Sequence, residues 1–218
     1  MIRDRIAGVI LAGGWSARMI DSLRAGGDPH PLPKARQCLA GKMLIEHVAE
    51  RLRPQVACLV INTNDNPGAY RHLGVPVVGD LETDYSGPLM GLVTAMAYLQ
   101  RSAPHIEFTS LVPCDAPFLP TDLVERLVNS LVEEDAEVAC PRQDGFLQPT
   151  FSLWRLSLLE RLQRARAGRA GAGIKHMFQS FRSAVVDWPS AGVDPFFNIN
   201  TQGQLEQAKN LILQGTST

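Results

Sequence analysis

A chain of 218 residues is long enough for one sizeable core and short for two, which predicts a single domain over 1–218. Its 45% apolar and 20% charged content and its net charge of −1 are those of an ordinary globular protein. The near-neutral balance excludes a general nucleic-acid binder, and the lack of any apolar run near the roughly 20 residues of a membrane helix gives no membrane partner.

The first apolar run, 6–11, reads as a buried strand because a short β-branched-rich stretch stops at Gly13-Gly14. The glycine pair opens unusual backbone angles and close ligand approach. Ser16 adds a hydroxyl and Arg18 a permanent cation, a set suited to a polyphosphate; a tight turn with one solvated arginine is the plainer reading. Arg3 and Arg5 before this run mimic a secretory signal, but Asp4, the shortness of the run and the glycines oppose one, so the expected compartment is the cytoplasm.

Residues 20–33 follow as a long loop, since Pro29, Pro31 and Pro33 forbid a regular helix or central strand. Leu44, Val48 and Leu52 then repeat at helical spacing up to Pro54. A strand over 57–61 ends at Asn62, a short helix covers 68–73, and a strand over 75–78 ends at Gly79-Asp80. Leu89, Leu92, Val93, Met96 and Leu99 mark the apolar face of the next helix. The strand 108–112 runs into Pro113-Cys114-Asp115, and Thr121 is placed to cap a helix with the inner stripe Leu123, Leu127 and Leu131.

Short strands at 138–139 and 150–153 flank a turn at Asp144-Gly145. Helices over 156–166 and 175–181, a strand over 184–187 and a last helix complete the chain, the last with a capping-box signature of Thr201 and Gln204. Arg155, Arg161, Arg164, Arg166, Arg169, Lys175 and Arg182 against Glu160 make 155–182 basic, either an anion-facing segment or a solvated helix face.

Strands alternating with helices predict an α/β fold with a mostly parallel, Rossmann-like sheet covered on both faces. Four strands end in Gly13-Gly14, Asn62, Asp80 and Asp115, and in such a sheet these carboxyl ends share the edge where ligands bind. The usual phosphate fingerprints are absent. Gly41-Lys42 lacks the earlier glycine and has Met43 where a P-loop needs Ser or Thr, and Gly8, Gly13 and Gly14 do not give G-x-G-x-x-G. The serines lack a nucleophile-elbow context, and Cys38, Cys58, Cys114 and Cys140 form no C-x-x-C pair and read as small core residues.

Asp115, held between Pro113 and Pro117, suits either a hard cation such as magnesium or a turn cap. Asp80 is a cap or an acceptor for base N–H groups or ribose hydroxyls, and Asn62 and Asn64 offer both donors and acceptors. Asn198 and Asn200 precede a capped helix and suit a structural turn.

Taken in order, five pieces resemble the molybdenum cofactor guanylyltransferases, the MobA-type nucleotidyltransferases, from residue 6 to about residue 213. They are Leu11-Ala12-Gly13-Gly14-x-Ser16-x-Arg18-Met19, Lys34, Asp84-Tyr85-x-Gly87-Pro88-Leu89-x-Gly91, Pro113-Cys114-Asp115-x-Pro117 and Asn198-Ile199-Asn200-Thr201. The resemblance implies a magnesium-dependent transfer of GMP from GTP to molybdopterin. Leu11, Ala12, Gly13 and Gly14 would line the nucleotide site with Gly87, Lys34 would touch phosphates, and Asn62 and Asp80 would hold the guanine nucleoside. Asp115 would bind Mg2+, Arg18, Lys34 and Asp115 would be catalytic, and Asn198, Asn200 and Lys175 would lie on the pterin side. Protein partners would be those that deliver or receive the cofactor.

The family runs from Arg-Met to an Asp-Lys pair within a few residues. Here the segment 20–33 intervenes as an insertion, leaving Arg24, Arg36 and Lys42 as rivals of Lys34. Cytidylyl transfer to the same acceptor, transfer to a sugar phosphate, and an inactive nucleotide-binding regulator are the alternative readings.

Overall fold

The computed structural model describes residues 2–13, 32–82, 87–167, 173–190 and 192–215. Gly14, Ser16, Arg18 and most of the expected insertion therefore lie outside the described residues, as does Asp84-Tyr85.

The centre of the sheet is β1 (Ile6–Leu11), paired in parallel on one side with β4 (Cys58–Asn62) and on the other with β6 (Phe108–Pro113). Beyond β4 comes β5 (Val77–Val78). Beyond β6 lie β9 (Leu153–Arg155), then β7 (Val138–Gln143) and β10 (Ser183–Asp187). The short β8 (Phe146–Leu147) pairs with β7, and β2 (Cys38–Leu39) with β3 (Lys42–Met43) makes a separate ribbon. β8 and β9 are antiparallel to their neighbours and the remaining pairings of the main sheet are parallel, so the expected architecture is observed.

Because side chains alternate across a strand, β1 feeds two cores. Ile6 and Ile10 pack with Ile45, Val48 and Leu52 of α1 (Leu44–Leu52) and Leu127 of α3 (Leu123–Glu133). Ala7 and Val9 pack on the opposite face with Leu92 and Met96 of α2 (Pro88–Ser102), Leu162 of α4 (Leu159–Ala167) and Phe178 of α5 (Ile174–Gln179). The last helix, α6 (Gln202–Gly215), closes a third cluster through Leu205, Ala208, Ile199, Leu39 and Leu44. Among the described residues no helix is long and apolar enough to cross a membrane.

Several local expectations change in the folded chain. The strand expected at 75–78 shrinks to Val77–Val78, since Pro76 has no N–H to give to a ladder and contributes only its carbonyl, to the Ile61 N–H at 2.9 Å. Residues 67–73 form a 3₁₀ helix capped by the Asn66 side chain and closed by Gly74 at φ 63°. Thr121 does not cap α3. The first helical residues are served from outside, by the Gln55 side-chain oxygen, which accepts the Val124 N–H at 2.9 Å.

The strand expected at 150–153 is displaced to Leu153–Arg155, because Phe151 N–H turns back to the Gln148 carbonyl and the Ser152 hydroxyl to that of Pro149. The turn at Asp144-Gly145 has positive φ at both residues, as a two-residue hairpin requires. Cys38 is exposed rather than part of the core, whereas Cys114 and Cys140 are buried.

Trp154 is fully buried, donates its indole N–H to Ser152 Oγ at 2.7 Å and meets Phe181 edge to face at 5.9 Å. Trp154→Ala removes this anchor between β9 and the second core. It should cost about 3–5 kcal/mol in denaturant unfolding without changing the slope of the transition.

Candidate functional site

Parallel pairing brings the carboxyl ends of β1, β4 and β6 to one level, with Leu11 opposite Asn62 on one side and Pro113 on the other. Backbone bonds tie the tips together. Ala12 N–H donates to the Asn62 carbonyl at 2.8 Å, Cys114 N–H to that of Leu11 at 3.0 Å, and Ile199 N–H to that of Asp115 at 3.0 Å. Above them opens a cleft of about 370 Å³. Its floor is built from Leu11, Gly13 and Pro113 to Asp115, one wall from Asn62, Asp80, Gly87 and Pro88, and the other from Lys34, Thr150, Asn198 and Asn200.

Gly13 does not take a positive φ, and among the described residues a Cβ there would meet nothing nearer than the Thr63 Cα at 3.9 Å. The packing of the described residues leaves room at this position, which suits close approach of a ligand to the backbone. Ala12 is buried behind the floor, where its carbonyl accepts the Thr63 hydroxyl at 3.1 Å. Gly87 has φ 67°, a conformation that favours glycine, and immediately precedes α2, whose first turn faces the cleft through Pro88. The N-terminal end of that 15-residue helix carries a positive partial charge.

The charged centre is an ion pair between the Lys34 ammonium and the Asp115 carboxylate. Lys34 also donates to the Asn200 side-chain oxygen at 2.7 Å. Asp115 is only 5% exposed, and burial pushes its carboxyl above the ordinary range while the Lys34 ammonium pulls the other way. Lys34 sits on a single 3₁₀ turn, Lys34–Arg36. The turn is held by Arg36, whose guanidinium lies 3.6 Å from Asp65, itself accepting the Tyr70 hydroxyl at 3.0 Å. Of the other basic candidates, Arg24 lies outside the described residues, Arg36 turns to Asp65, and Lys42 pairs with Glu50 at 2.7 Å.

Asn200 is fixed from behind. Its N–H donates to the Gln204 side-chain oxygen at 2.7 Å, and the Gln204 N–H donates to Thr201 Oγ at 3.2 Å. The expected capping box is thus half formed: Gln204 reaches back one residue further, to Asn200. Lys175 is exposed on α5 and is not among the described residues that line the cleft, whereas Asn198 and Asn200 are.

Opposite Lys34, Asn62 donates through Nδ2 to Asp80 Oδ1 at 2.8 Å and to the Val78 carbonyl at 3.3 Å. Both partners are pure acceptors, which sets the amide orientation and turns Asn62 Oδ1 toward Gly91 of α2. Gly91 makes room for it, since a Cβ there would lie 2.3 Å from Asn62 Oδ1 and 2.5 Å from Leu11 Cδ2.

Thr150, Pro88 and Cys114 line the cleft without having been singled out as ligand contacts. Thr150 follows a turn far from any motif, and nothing in the sequence near it signals a site. Burial pushes the Cys114 thiol up, which disfavours its thiolate. Among the described residues no three His, Cys, Asp or Glu side chains gather to hold a metal. The Asp115 carboxylate nevertheless suits a magnesium-like ion, which takes one or two carboxylates and completes its shell with phosphates and water. It is buried, lines the cleft and already holds a cation, the Lys34 ammonium.

Residues 8–185 match the MobA-like NTP transferase domain. The chain belongs to that family. The molybdenum cofactor guanylyltransferase of Cupriavidus pinatubonensis is 40% identical over 93% of this chain and 96% of its own length. That of Methylibium petroleiphilum is 39% identical over 94% and 95%. The solved molybdopterin-guanine dinucleotide biosynthesis protein A of Archaeoglobus fulgidus superimposes with a TM-score of 0.69 at 22% identity, covering 95% of this chain and 99% of that one. CMP:2-keto-3-deoxy-manno-octonic acid synthetase, solved with CTP, reaches 0.72 at 16% identity over 97% and 99%, and so shares the fold. The chain is thus a nucleotidyltransferase, and its cleft lies at the carboxyl edge of the sheet.

In this MobA-like chain Gly91→Ala forces the added methyl against Asn62 and Leu11. The variant should lose about 1–3 kcal/mol of stability in denaturant unfolding.

Proposed function

We propose that this MobA-like NTP transferase works as one nucleotidyltransferase domain in the cytoplasm. It moves GMP from GTP to the terminal phosphate of molybdopterin, giving molybdopterin guanine dinucleotide and pyrophosphate. One observation carries the reading: Lys34 and Asp115 face the Asn62–Asp80 pair across a single cleft at the carboxyl edge of the sheet. The first pair handles phosphate charge and the second offers acceptors to a base. The names of the relatives at 39–40% identity over nearly the full chain support the same substrates.

In the reaction an oxygen of the pterin phosphate forms a bond to the α-phosphorus of GTP. The bond from that phosphorus to the bridging oxygen of the β-phosphate breaks, and its electron pair leaves with pyrophosphate. Both reactants are anions, so the protein contributes placement and charge neutralisation rather than covalent chemistry. Gly13 lets the backbone approach the phosphates, the N-terminal end of α2 favours their charge, and Lys34 supplies a mobile cation. Asn198 and Asn200 border the acceptor side, and Asn200 steers Lys34. Asp115 would hold magnesium, which when bound neutralises phosphate charge at that carboxylate.

The wall opposite Lys34 supports guanine. Asp80 is acceptor-only, and guanine presents two adjacent donors, N1–H and the N2 amino group, whereas cytosine presents one donor beside acceptors.

Supplied with molybdopterin, magnesium and each nucleoside triphosphate in turn, the protein should release pyrophosphate and form dinucleotide with GTP. Preference for CTP would overturn the guanylyl assignment. Asp115→Ala should lower turnover by at least about 100-fold while far-UV circular dichroism and cooperative melting persist, and full activity in that variant would remove Asp115 from the mechanism.

A further inference from the structure

Asp80 is placed by little secondary structure. It follows Gly79 beyond the two-residue strand β5, whose pairing with β4 ends at the Thr63 N–H bond to the Val78 carbonyl at 3.0 Å. What grips it instead is Asn64, from the loop after β4. The Asn64 side-chain oxygen accepts the Asp80 backbone N–H at 2.8 Å, and its Nδ2 donates to Asp80 Oδ2 at 2.9 Å. One amide thus clamps both the main chain and the carboxylate of Asp80. The second oxygen, Oδ1, takes its donor from Asn62 at 2.8 Å. Each carboxylate oxygen is therefore tied once, and because an ionised carboxylate accepts about four hydrogen bonds, each keeps capacity for a further donor.

From this clamp we infer that Asn64 is a positioning residue for base selectivity: it fixes the plane of the Asp80 carboxylate so that its two remaining acceptor directions meet two adjacent donors of guanine. This rests on the guanylyl reading above. Asn64 is exposed and belongs to none of the three apolar cores, so packing gives it no other task. Without the clamp, Asp80 keeps a single tether and its carboxylate rotates about it, which weakens a paired contact far more than a single one.

The test compares kcat/KM for GTP, for ITP, which lacks the N2 amino group, and for dGTP, which lacks the ribose 2′-hydroxyl. The proteins are the wild type, Asn64→Ala, Asn64→Asp and Asp80→Asn. The wild type should favour GTP over ITP by about tenfold or more, the worth of one hydrogen bond to a charged acceptor. In Asn64→Ala the GTP value should fall about tenfold, carried by KM, with a fall of no more than about threefold for ITP, so that the ratio narrows. Asn64→Asp keeps the acceptor for the Asp80 N–H but loses the donor and adds repulsion, and should narrow the ratio at least as much.

Equal losses for GTP and ITP would make Asn64 merely structural and overturn the inference, as would unchanged values. Selective change in the GTP-to-dGTP ratio would overturn it in favour of ribose contact. If Asp80→Asn narrows the GTP-to-ITP ratio while Asn64→Ala does not, the positioning role alone fails. If Asp80→Asn leaves that ratio intact, or the wild type shows none, the guanine contact at Asp80 fails with it.

Discussion

The register of β1 against β4 and β6 is the constraint on which the molecule depends. Parallel strands must end where their partners end if a shared edge is to form, and here Leu11 is level with both Asn62 and Pro113. The next residues along each strand then leave the sheet side by side. Gly13, Thr63 and Asp115 are consequently neighbours although about fifty residues separate each from the next in the chain. A slip of one residue would turn each strand's side chains to the other face and exchange the two cores. Apolar burial on both faces of β1 thus protects the geometry of a polar cleft.

The cleft has opposite electrostatic demands on its two walls. On one side a buried carboxylate needs a cation, and Lys34 supplies it by leaning across from a 3₁₀ turn outside the sheet. The arrangement suits a site for anions, because an ammonium on a flexible stem can change partners when phosphates arrive, at less cost than reorganising backbone. Asn200 offers Lys34 a second acceptor, so the cation is held between two elements distant in sequence. On the other side no cation intervenes among the described residues, and Asn62 and Asn64 hold Asp80 while its carboxylate keeps capacity for further donors.

Close packing carries these polar groups. Asn62 is buried to 3% exposure at a strand end, which is tolerable because both of its donor hydrogens are used. The absent side chain at Gly91 creates the room, so a helix residue that looks like one more apolar position serves the neighbouring strand. Similarly, α3 takes its N-terminal acceptor from Gln55 on another element rather than from Thr121 beside it. Local signals nominate a helix start, but the closest acceptor in the folded chain decides it.

Periodicity and punctuation alone determined the succession of strands and helices, the parallel character of the sheet, and the polar residues at its carboxyl edge. These follow from short-range rules: apolar alternation, glycine and proline as stops, and the fixed hand of strand–helix–strand connections. The tertiary structure decided which of those strand-end residues touch. Among the described residues it chose Lys34 over Arg36 and Lys42 as a cation in the cleft, drew in Thr150, and put Lys175 on an exposed helix outside the cleft lining. It also shortened β5 to two residues and gave Asp80 to Asn64 for support. Contacts between side chains from different elements depend on distances set by the whole packed sheet, and no spacing along the chain encodes them.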